Sequence, residues 1–198
     1  MFGLPVRTET NFPLPKERFY ENMNIDSKLK KLFVDDVEKI VIVNNLCEAT
    51  TNIHEGENVK QIMLLALHPK QRDINDKILI QIAKTNPHKL LFVNPENNTL
   101  SVYYNRQLYK NSTLSGLDIA GLNLDEVWYS LVTQIIFEDS NFQNLNERIE
   151  LQVKVLKLEK EIVRLNKLYR KERQTVKHNY YYCQMQEAKR ELKELLGE

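Results

Sequence analysis

The last third of this chain decides its architecture. Residues 145–198 read LNERIELQVKVLKLEKEIVRLNKLYRKERQTVKHNYYYCQMQEAKRELKELLGE. Apolar residues recur there at alternating spacings of four and three, which is the heptad spacing of helices that pack side by side. The first such series is Leu151, Val155, Leu158, Ile162, Leu165 and Tyr169. The second series, in another register, is Tyr181, Met185, Ala188, Leu192 and Leu195.

A polar break separates the two series. Residues 170–177 read RKERQTVK, and no proline or glycine lies between residues 143 and 196. Two amphipathic helices joined by a short polar segment pack most readily as an antiparallel pair. We therefore predict a C-terminal helical hairpin, a coiled coil, over residues 141–198, and a separate body with an extended N-terminal arm over residues 1–140.

Composition restricts the class of protein. Hydrophobic residues make up 42% of the 198 residues, with only five glycines and six prolines, which is typical of a chain with a packed core. The two cysteines, Cys47 and Cys183, lie far apart, as expected for a reducing compartment. No apolar run approaches the roughly 18 residues that a membrane span needs, and no secretory signal opens the chain. We expect a cytoplasmic protein without a membrane segment.

The N-terminal part of the body predicts helices and strands in alternation. Prolines up to residue 15 indicate an extended arm, followed by a short helix over residues 16–23. Asp26 is placed to cap a helix over residues 27–36. Residues 39–47 and 59–67 read as long strands, with a shorter extended piece at residues 51–53. The continuous apolar run at residues 62–67 is typical of a central strand covered on both faces.

The remainder of the body predicts a helix, two strands and a further helix. Asp73 or Asn75 is placed to cap a helix that ends at Lys84, and residues 89–94 and 99–104 form a hairpin of strands. Asn123 and Glu126 then form a capping box for a helix that ends at residue 137. The fold class predicted is α+β: a small mixed-sheet α/β sandwich body followed by the helical hairpin.

The charge distribution points to the tip of the hairpin. Residues 141–198 carry 13 Lys+Arg and 9 Asp+Glu, whereas residues 1–140 carry 15 and 18. Between residues 164 and 178 only Glu172 opposes the cations, and Tyr180 lies close by. Such cations and tyrosines can bind phosphates and stack on bases, or they can dock a partner protein, or they can form a solvated helix surface. The candidate binding residues are Arg164, Lys167, Arg170, Lys171, Arg173, Lys177 and Tyr180.

A search for catalytic and metal-binding patterns finds none that is complete. No histidine has a second histidine three or four residues away, so the common zinc spacings are absent. The strands at residues 39–47 and 59–67 lack the Asp and Glu-x-Lys pattern of metal-dependent nucleases. Phosphate-binding and nucleophile-elbow motifs are also missing. We therefore expect no cofactor, no metal and no enzymatic activity, and a cryptic nuclease or hydrolase ranks third among the functions.

Several short stretches together carry a family resemblance. They are Met1-Phe2-Gly3-Leu4-Pro5, Leu14-Pro15-Lys16 with Phe19-Tyr20, Glu38-Lys39-Ile40-Val41, Thr51-Asn52-Ile53 with Gly56 and Val59, Leu90-Leu91-Phe92 and Gly121-Leu122-Asn123-Leu124-Asp125. With the charged hairpin at the end, the chain resembles the bacterial domain of unknown function 4391 over essentially its full length. The resemblance supplies no catalytic residues.

The resemblance implies a genomic setting. Such proteins tend to be encoded beside helicases and DNA methyltransferases of restriction-like, phage-defence systems. The resulting hypothesis is a non-enzymatic accessory or scaffold protein that docks a helicase or methyltransferase type of partner through its body and arm. The alternative is sequence-independent binding of DNA or RNA through the basic tip. The outer faces of the hairpin also offer a homodimer interface.

Overall fold

The computed structural model describes residues 2–16, 26–71 and 73–197. The chain forms two compact units, residues 1–142 and residues 143–198. The first contains a mixed sheet with helices, and the second consists of helices. The predicted α+β class is therefore confirmed.

A six-stranded sheet forms the centre of the first unit. Its strands are β1 (Glu9–Leu14), β2 (Val37–Leu46), β3 (Ile62–Pro69), β4 (Lys89–Asn94), β5 (Thr99–Tyr104) and β6 (Gln107–Asn111). They lie side by side in the order in which they occur in the chain. Only β3 and β4 run parallel, and the other neighbours are antiparallel.

The central strands are buried on both faces, as their continuous apolar sequences predict. Leu64, Leu65 and Leu67 of β3 are at most 1% exposed. Because successive side chains of a strand point to opposite faces, this requires cover on each side of the sheet. Leu65 and Leu67 belong to a core cluster with Phe33, Ile78 and Ile82 of two helices, α1 (Ser27–Asp36) and α3 (Asp76–Thr85).

A third helix of the body, α4 (Leu124–Phe137), packs against β5 and β6. Its apolar face is buried at Val127, Trp128, Leu131 and Val132. Burial of large aliphatic and aromatic side chains contributes roughly 1.5–3 kcal/mol each. α4 is therefore a major source of stability for the first unit.

Side-chain caps begin these helices at the residues that the sequence predicts. The carboxylate of Asp26 accepts a hydrogen bond from the backbone N–H of Leu29, and Asn75 accepts one from Lys77. The Asn123 side chain accepts one from Glu126, whereas the Glu126 carboxylate accepts a bond from Leu122 rather than from Asn123, so the predicted capping box forms only in part. These bonds satisfy N–H groups that a helix leaves without partners at its start.

The N-terminal arm is not merely extended, as its prolines suggested. Val6–Thr8 form a 3-10 turn, and Glu9–Leu14 form the edge strand β1, which pairs with β2. The pairing shifts register between Glu9 and Phe12, and Pro13 lies in the strand. An edge strand tolerates proline because one row of its backbone groups faces no neighbour. The helix predicted over residues 16–23 lies outside the described residues except for Lys16.

Two further predictions for the body are corrected, and one strand was not predicted at all. Residues 51–53 are not an extended piece, because a short helix α2 (Glu48–Thr51) ends there. It is held by the Thr50 hydroxyl, which donates to the carbonyl of Asn45. β3 begins at Ile62 rather than Val59 and includes His68 and Pro69. Strand β6 was not predicted. In the structure, the two residues before it, Asn105 and Arg106, adopt the positive φ angles of a tight hairpin turn.

The second unit is a helical hairpin. α5 (Leu145–Lys171) and α6 (Thr175–Leu196) pack against each other along their length. Gly197, with φ of 73°, ends α6 in the left-handed conformation common after helices.

Candidate docking interface

The seam between α5 and α6 contains most of the residues that the heptad pattern singled out. Leu165, Met185 and Ala188 are buried, with exposures of 4%, 6% and 8%. The half-buried members of the seam are Val155, Leu158, Ile162, Tyr169, Tyr181, Leu192 and Leu195. The Tyr169 ring lies 4.0 Å from that of His178 and 5.8 Å from that of Tyr182, measured between centroids.

Leu151 is a correction to the predicted seam, because its side chain is 41% exposed. Tyr169 of α5 lies against His178 and Tyr182 of α6, which sets the register of the antiparallel pair. Eighteen residues before Tyr169, the opposing position falls at or beyond Leu196, where α6 ends. Leu151 therefore has little of α6 to pack against.

The turn between the helices uses the only acidic residue of the tip. The Glu172 carboxylate accepts hydrogen bonds from the backbone N–H groups of Arg173, at 2.9 Å, and Gln174, at 3.0 Å. The bond from Gln174 is the main reason that the pKa of Glu172 is lowered, and Lys177 lowers it further. Glu172 thus closes the turn that precedes α6, whereas the helix itself starts without a side-chain cap, because Gln174 provides none.

The tip presents cations without ion-pair partners in the described part of the chain. These exposed residues are Lys167, Arg170, Lys171, Arg173 and Lys177. Arg164 differs, because its guanidinium donates to both oxygens of Glu161, at 2.7 and 2.5 Å. These bonds lower the pKa of Glu161, so an ionised carboxylate lies beside the charge of Arg164. The Tyr180 side chain is 59% exposed and meets Tyr181 edge-to-face at 5.7 Å.

The basic surface extends further along α5 than the sequence analysis placed it. Lys154, Lys157 and Lys160 line a shallow groove of the hairpin together with Arg164 and Glu191. Lys154 and Lys157 are exposed and form no ion pair among the described residues. Their spacing of three residues could have revealed them, since residues three or four apart share one helix face.

A second line of side chains follows the outer side of α5, and we call it the outer stripe. Its members are Val153, Leu156, Lys160, Val163, Lys167 and Arg170. The three aliphatic members are 44%, 45% and 54% exposed, in that order. From Leu158 in the seam to Val163 in the stripe, the helix turns by about 140°, at 3.6 residues per turn. The aliphatic members of the outer stripe therefore lie on the side of α5 away from α6, whereas Lys160 also borders the groove that Glu191 of α6 lines.

The polar turn at residues 54–59 serves structure in the first unit. The Asp125 carboxylate accepts hydrogen bonds from the backbone N–H groups of Glu57 and Val59, both at 2.8 Å, and from Asn58 at 3.2 Å. Nδ1 of His54 lies 3.0 Å from Oε1 of Glu48, and Oε2 of Glu55 lies 3.3 Å from Nζ of Lys60. The His54 imidazole and the Glu55 carboxylate of this turn thus contact neighbours in the chain.

The described residues contain neither a metal-binding cluster nor a membrane-spanning helix. No three side chains of His, Cys, Asp or Glu are grouped there in a way that could hold a metal ion. Among the helices over the same residues, none has the length and apolar character required to cross a bilayer.

Comparison with known families matches one model, described as a domain of unknown function (DUF4391), over residues 2–192. The chain belongs to the DUF4391 family. This confirms the resemblance predicted from the sequence. No curated protein and no solved structure matches the chain significantly.

Two stretches that carry the resemblance to DUF4391 meet in the structure. The backbone of His54 forms a β-bridge with that of Asn123, and the N–H of Leu124 donates to the carbonyl of His54 at 2.9 Å. Gly56 and Asp125 lie in contact beside this bridge. These DUF4391 residues therefore hold the start of α4 to the polar turn, which is a structural role.

Proposed function

We propose that this DUF4391 protein is a non-enzymatic accessory or scaffold protein that docks a partner protein through its body and its helical hairpin. The partner would be of the helicase or methyltransferase type, within a restriction-like, phage-defence complex of the cytoplasm. The genomic setting implied by the family resemblance supports this choice of complex. The hairpin would act as the docking arm by coiled-coil association.

The exposed aliphatic residues of the outer stripe are the observation that carries the proposal. Two helices that pack side by side need one shared line of apolar side chains, and the seam between α5 and α6 already provides it. Val153, Leu156 and Val163 nevertheless repeat at heptad spacing on the other side of α5, about half exposed. A regular apolar line on a helix surface is typical of a face that packs on a further helix.

The proposal is tested by quantitative affinity capture from the native host. Tagged wild-type chain is compared with Leu156→Glu/Val163→Glu, which alters the outer stripe, and with Val176→Glu, whose side chain is 82% exposed on α6. We expect a specific partner protein with the wild type and the Val176 variant, and its loss with the stripe variant. If no protein is enriched over an unrelated helical hairpin, the accessory role is wrong.

A second candidate is sequence-independent binding of nucleic acid by the tip. The unpaired cations Lys167, Arg170, Lys171, Arg173 and Lys177, with the exposed ring of Tyr180, favour it. About four to six phosphate contacts would give a slope of roughly −3 to −5 for log affinity against log salt. Anisotropy titration of labelled duplex and single strand at low and physiological salt tests this, with Arg170→Glu/Lys171→Glu/Arg173→Glu expected to abolish binding. Sub-micromolar affinity at physiological salt would favour this candidate over protein docking.

A further inference from the structure

The outer stripe has the spacing of a complete heptad seam. Its six members follow one another at intervals of three, four, three, four and three residues. Over this length α5 rises about 26 Å, at 1.5 Å per residue, or nearly five turns. A single additional helix can therefore contact every member of the stripe at once.

The chemical character of the stripe changes along the helix. Val153 and Leu156 begin it, whereas Lys160, Lys167 and Arg170 alternate with Val163 towards the tip. None of these three cations forms an ion pair in the described chain. Beside the stripe, Lys157 and Lys171 add positive charge, Glu150 and Glu159 add negative charge, and Glu161 is paired with Arg164. The positive character therefore rests on the three cations of the stripe itself.

A second copy of this chain fits the stripe poorly. In a parallel pair, each stripe cation would face its own copy, because identical positions meet across such a seam. In an antiparallel pair aligned over the whole stripe, the aliphatic half would meet the basic half. Self-association would thus lack charge complementarity.

A nucleic acid also fits the stripe poorly, for a different reason. Phosphates would be satisfied by the cations, but they gain nothing from Val153, Leu156 and Val163 at regular spacing. An occupant that uses both kinds of residue needs aliphatic side chains opposite the first and carboxylates opposite the second. Amphipathic helices that dock on helical grooves present such side chains at i, i+3, i+4 and i+7.

We propose that the outer stripe binds one acidic amphipathic helix of a partner protein, which completes a three-helix arrangement with α5 and α6. This inference rests on the proposed docking function and names the chemistry of the docked segment. Aliphatic residues of that helix lie over Val153, Leu156 and Val163. Its Glu or Asp residues lie opposite Lys160, Lys167 and Arg170. These three cations would repel a positively charged helix.

Synthetic peptides test the chemistry directly with the full chain. The probe is a labelled 21-residue peptide with Leu at the heptad positions that meet Val153, Leu156 and Val163, and Glu at those that meet Lys160, Lys167 and Arg170. One control has every Glu replaced by Lys, and a second keeps the composition but scrambles the order. We expect the acidic peptide to bind at least about tenfold more tightly than either control, and its binding to weaken with salt. Equal binding of the three peptides would overturn the proposal.

Variants of the chain locate the binding. Lys160→Glu/Lys167→Glu should weaken binding of the acidic peptide at least about tenfold and strengthen binding of the lysine peptide. The matched control, Lys189→Glu/Lys193→Glu, makes the same change in net charge on exposed positions of α6 and should alter binding less than about twofold. Equal weakening by both pairs would mean that only net charge matters, and the proposal would be wrong. Circular dichroism establishes that each variant keeps its helices.

Site-specific photocrosslinking in the host separates this inference from the accessory function itself. A photoreactive residue replaces Leu156 in one variant, an exposed residue of the body in another, and Val176 in a third. A crosslink from position 156 to an acidic segment with heptad spacing supports both the accessory function and the binding of an acidic helix at the outer stripe. Capture of a protein only at the other positions leaves the accessory function standing and overturns the stripe. Self-crosslinking or nucleic acid at position 156 also overturns it, and no crosslink at any position counts against both.

Discussion

Gly56 and Asp125 are in such close contact that no side chain fits between them. A Cβ atom added at Gly56 would lie 2.4 Å from Cγ of Asp125 and 2.7 Å from its backbone nitrogen. The same carboxylate receives the three consecutive backbone N–H groups of Glu57, Asn58 and Val59. The absence of a side chain at Gly56 thus allows the Asp125 carboxylate to bind the loop.

We expect Gly56→Ala to destabilise the first unit by about 1–3 kcal/mol, as overpacking generally does. Asp125→Ala should also be destabilising, because three N–H groups lose a charged acceptor. Urea unfolding followed by tryptophan fluorescence measures both, since Trp128 is buried in α4. The double variant should cost less than the sum of the single variants, because removal of the carboxylate relieves the side-chain part of the clash and leaves only the contact with the backbone nitrogen. Additive costs would contradict the contact.

The two apolar lines of α5 should respond differently to truncation. Leu165→Ala removes a buried side chain, 4% exposed, and should cost about 2–5 kcal/mol. Leu156→Ala makes the same change where the side chain is 45% exposed and should cost less than about 0.5 kcal/mol. Urea unfolding followed by circular dichroism, with limited proteolysis, compares them. Similar losses in the two variants would show that the outer stripe is part of the folded core.

Glu172 should titrate below its ordinary pKa of 4.5, chiefly because the N–H of Gln174 binds the ionised carboxylate. Since the folded-state pKa is lowered, this stabilisation is present above pH 4.5 and is lost as the pH falls through the folded value. Carboxyl NMR titration gives the midpoint. In Glu172→Gln, the stability of the hairpin should depend less on pH in this window. An unchanged pH dependence would mean that the carboxylate does not hold the turn.

His68 should make the body more sensitive to mild acid. Burial lowers the pKa of His68 below 6.5, and Lys39 on the neighbouring strand lowers it further. The unfolded chain then binds a proton more readily than the folded one. The free energy of unfolding therefore falls as the pH drops from 6.5 towards the folded value and is constant above that range. Urea unfolding between pH 5 and 7.5 should show a shallower slope for His68→Gln, and an equal slope would refute the assignment.

Local signals explain which parts of the fold could be read from the sequence. The run at residues 62–67 predicts a doubly covered strand, and Asp26 and Asn123 mark the helix starts, because these signals depend on neighbours within a few residues. The strand at Glu9–Leu14 depends instead on pairing with β2, roughly thirty residues away in the chain, and prolines hide it. Thr51 reads as extended by propensity, but contacts of Thr50 with Asn45 and Cys47 close a helical turn.

The candidate interface likewise has a part that the sequence predicts and a part that only the structure shows. Heptad spacing is visible in the sequence, so the seam residues could be named. The outer stripe escapes notice because Lys160 and Lys167 interrupt its apolar pattern, and because exposure is known only when the position of α6 is known. The pairing of Glu161 with Arg164, which removes one cation from the tip, likewise requires side-chain geometry.

The order of the strands bears on how the protein is made. Since each strand lies beside the one that precedes it in the chain, a nascent polypeptide can extend the sheet from one edge as it leaves the ribosome. The delayed step is β4, whose parallel pairing with β3 requires α3 to cross over first. Arrest-peptide fusions truncated after each strand should therefore report folding force in steps, with a wider gap before β4 than before β5 or β6. The ribosome would therefore synthesise the strands in the same order in which they lie across the finished sheet.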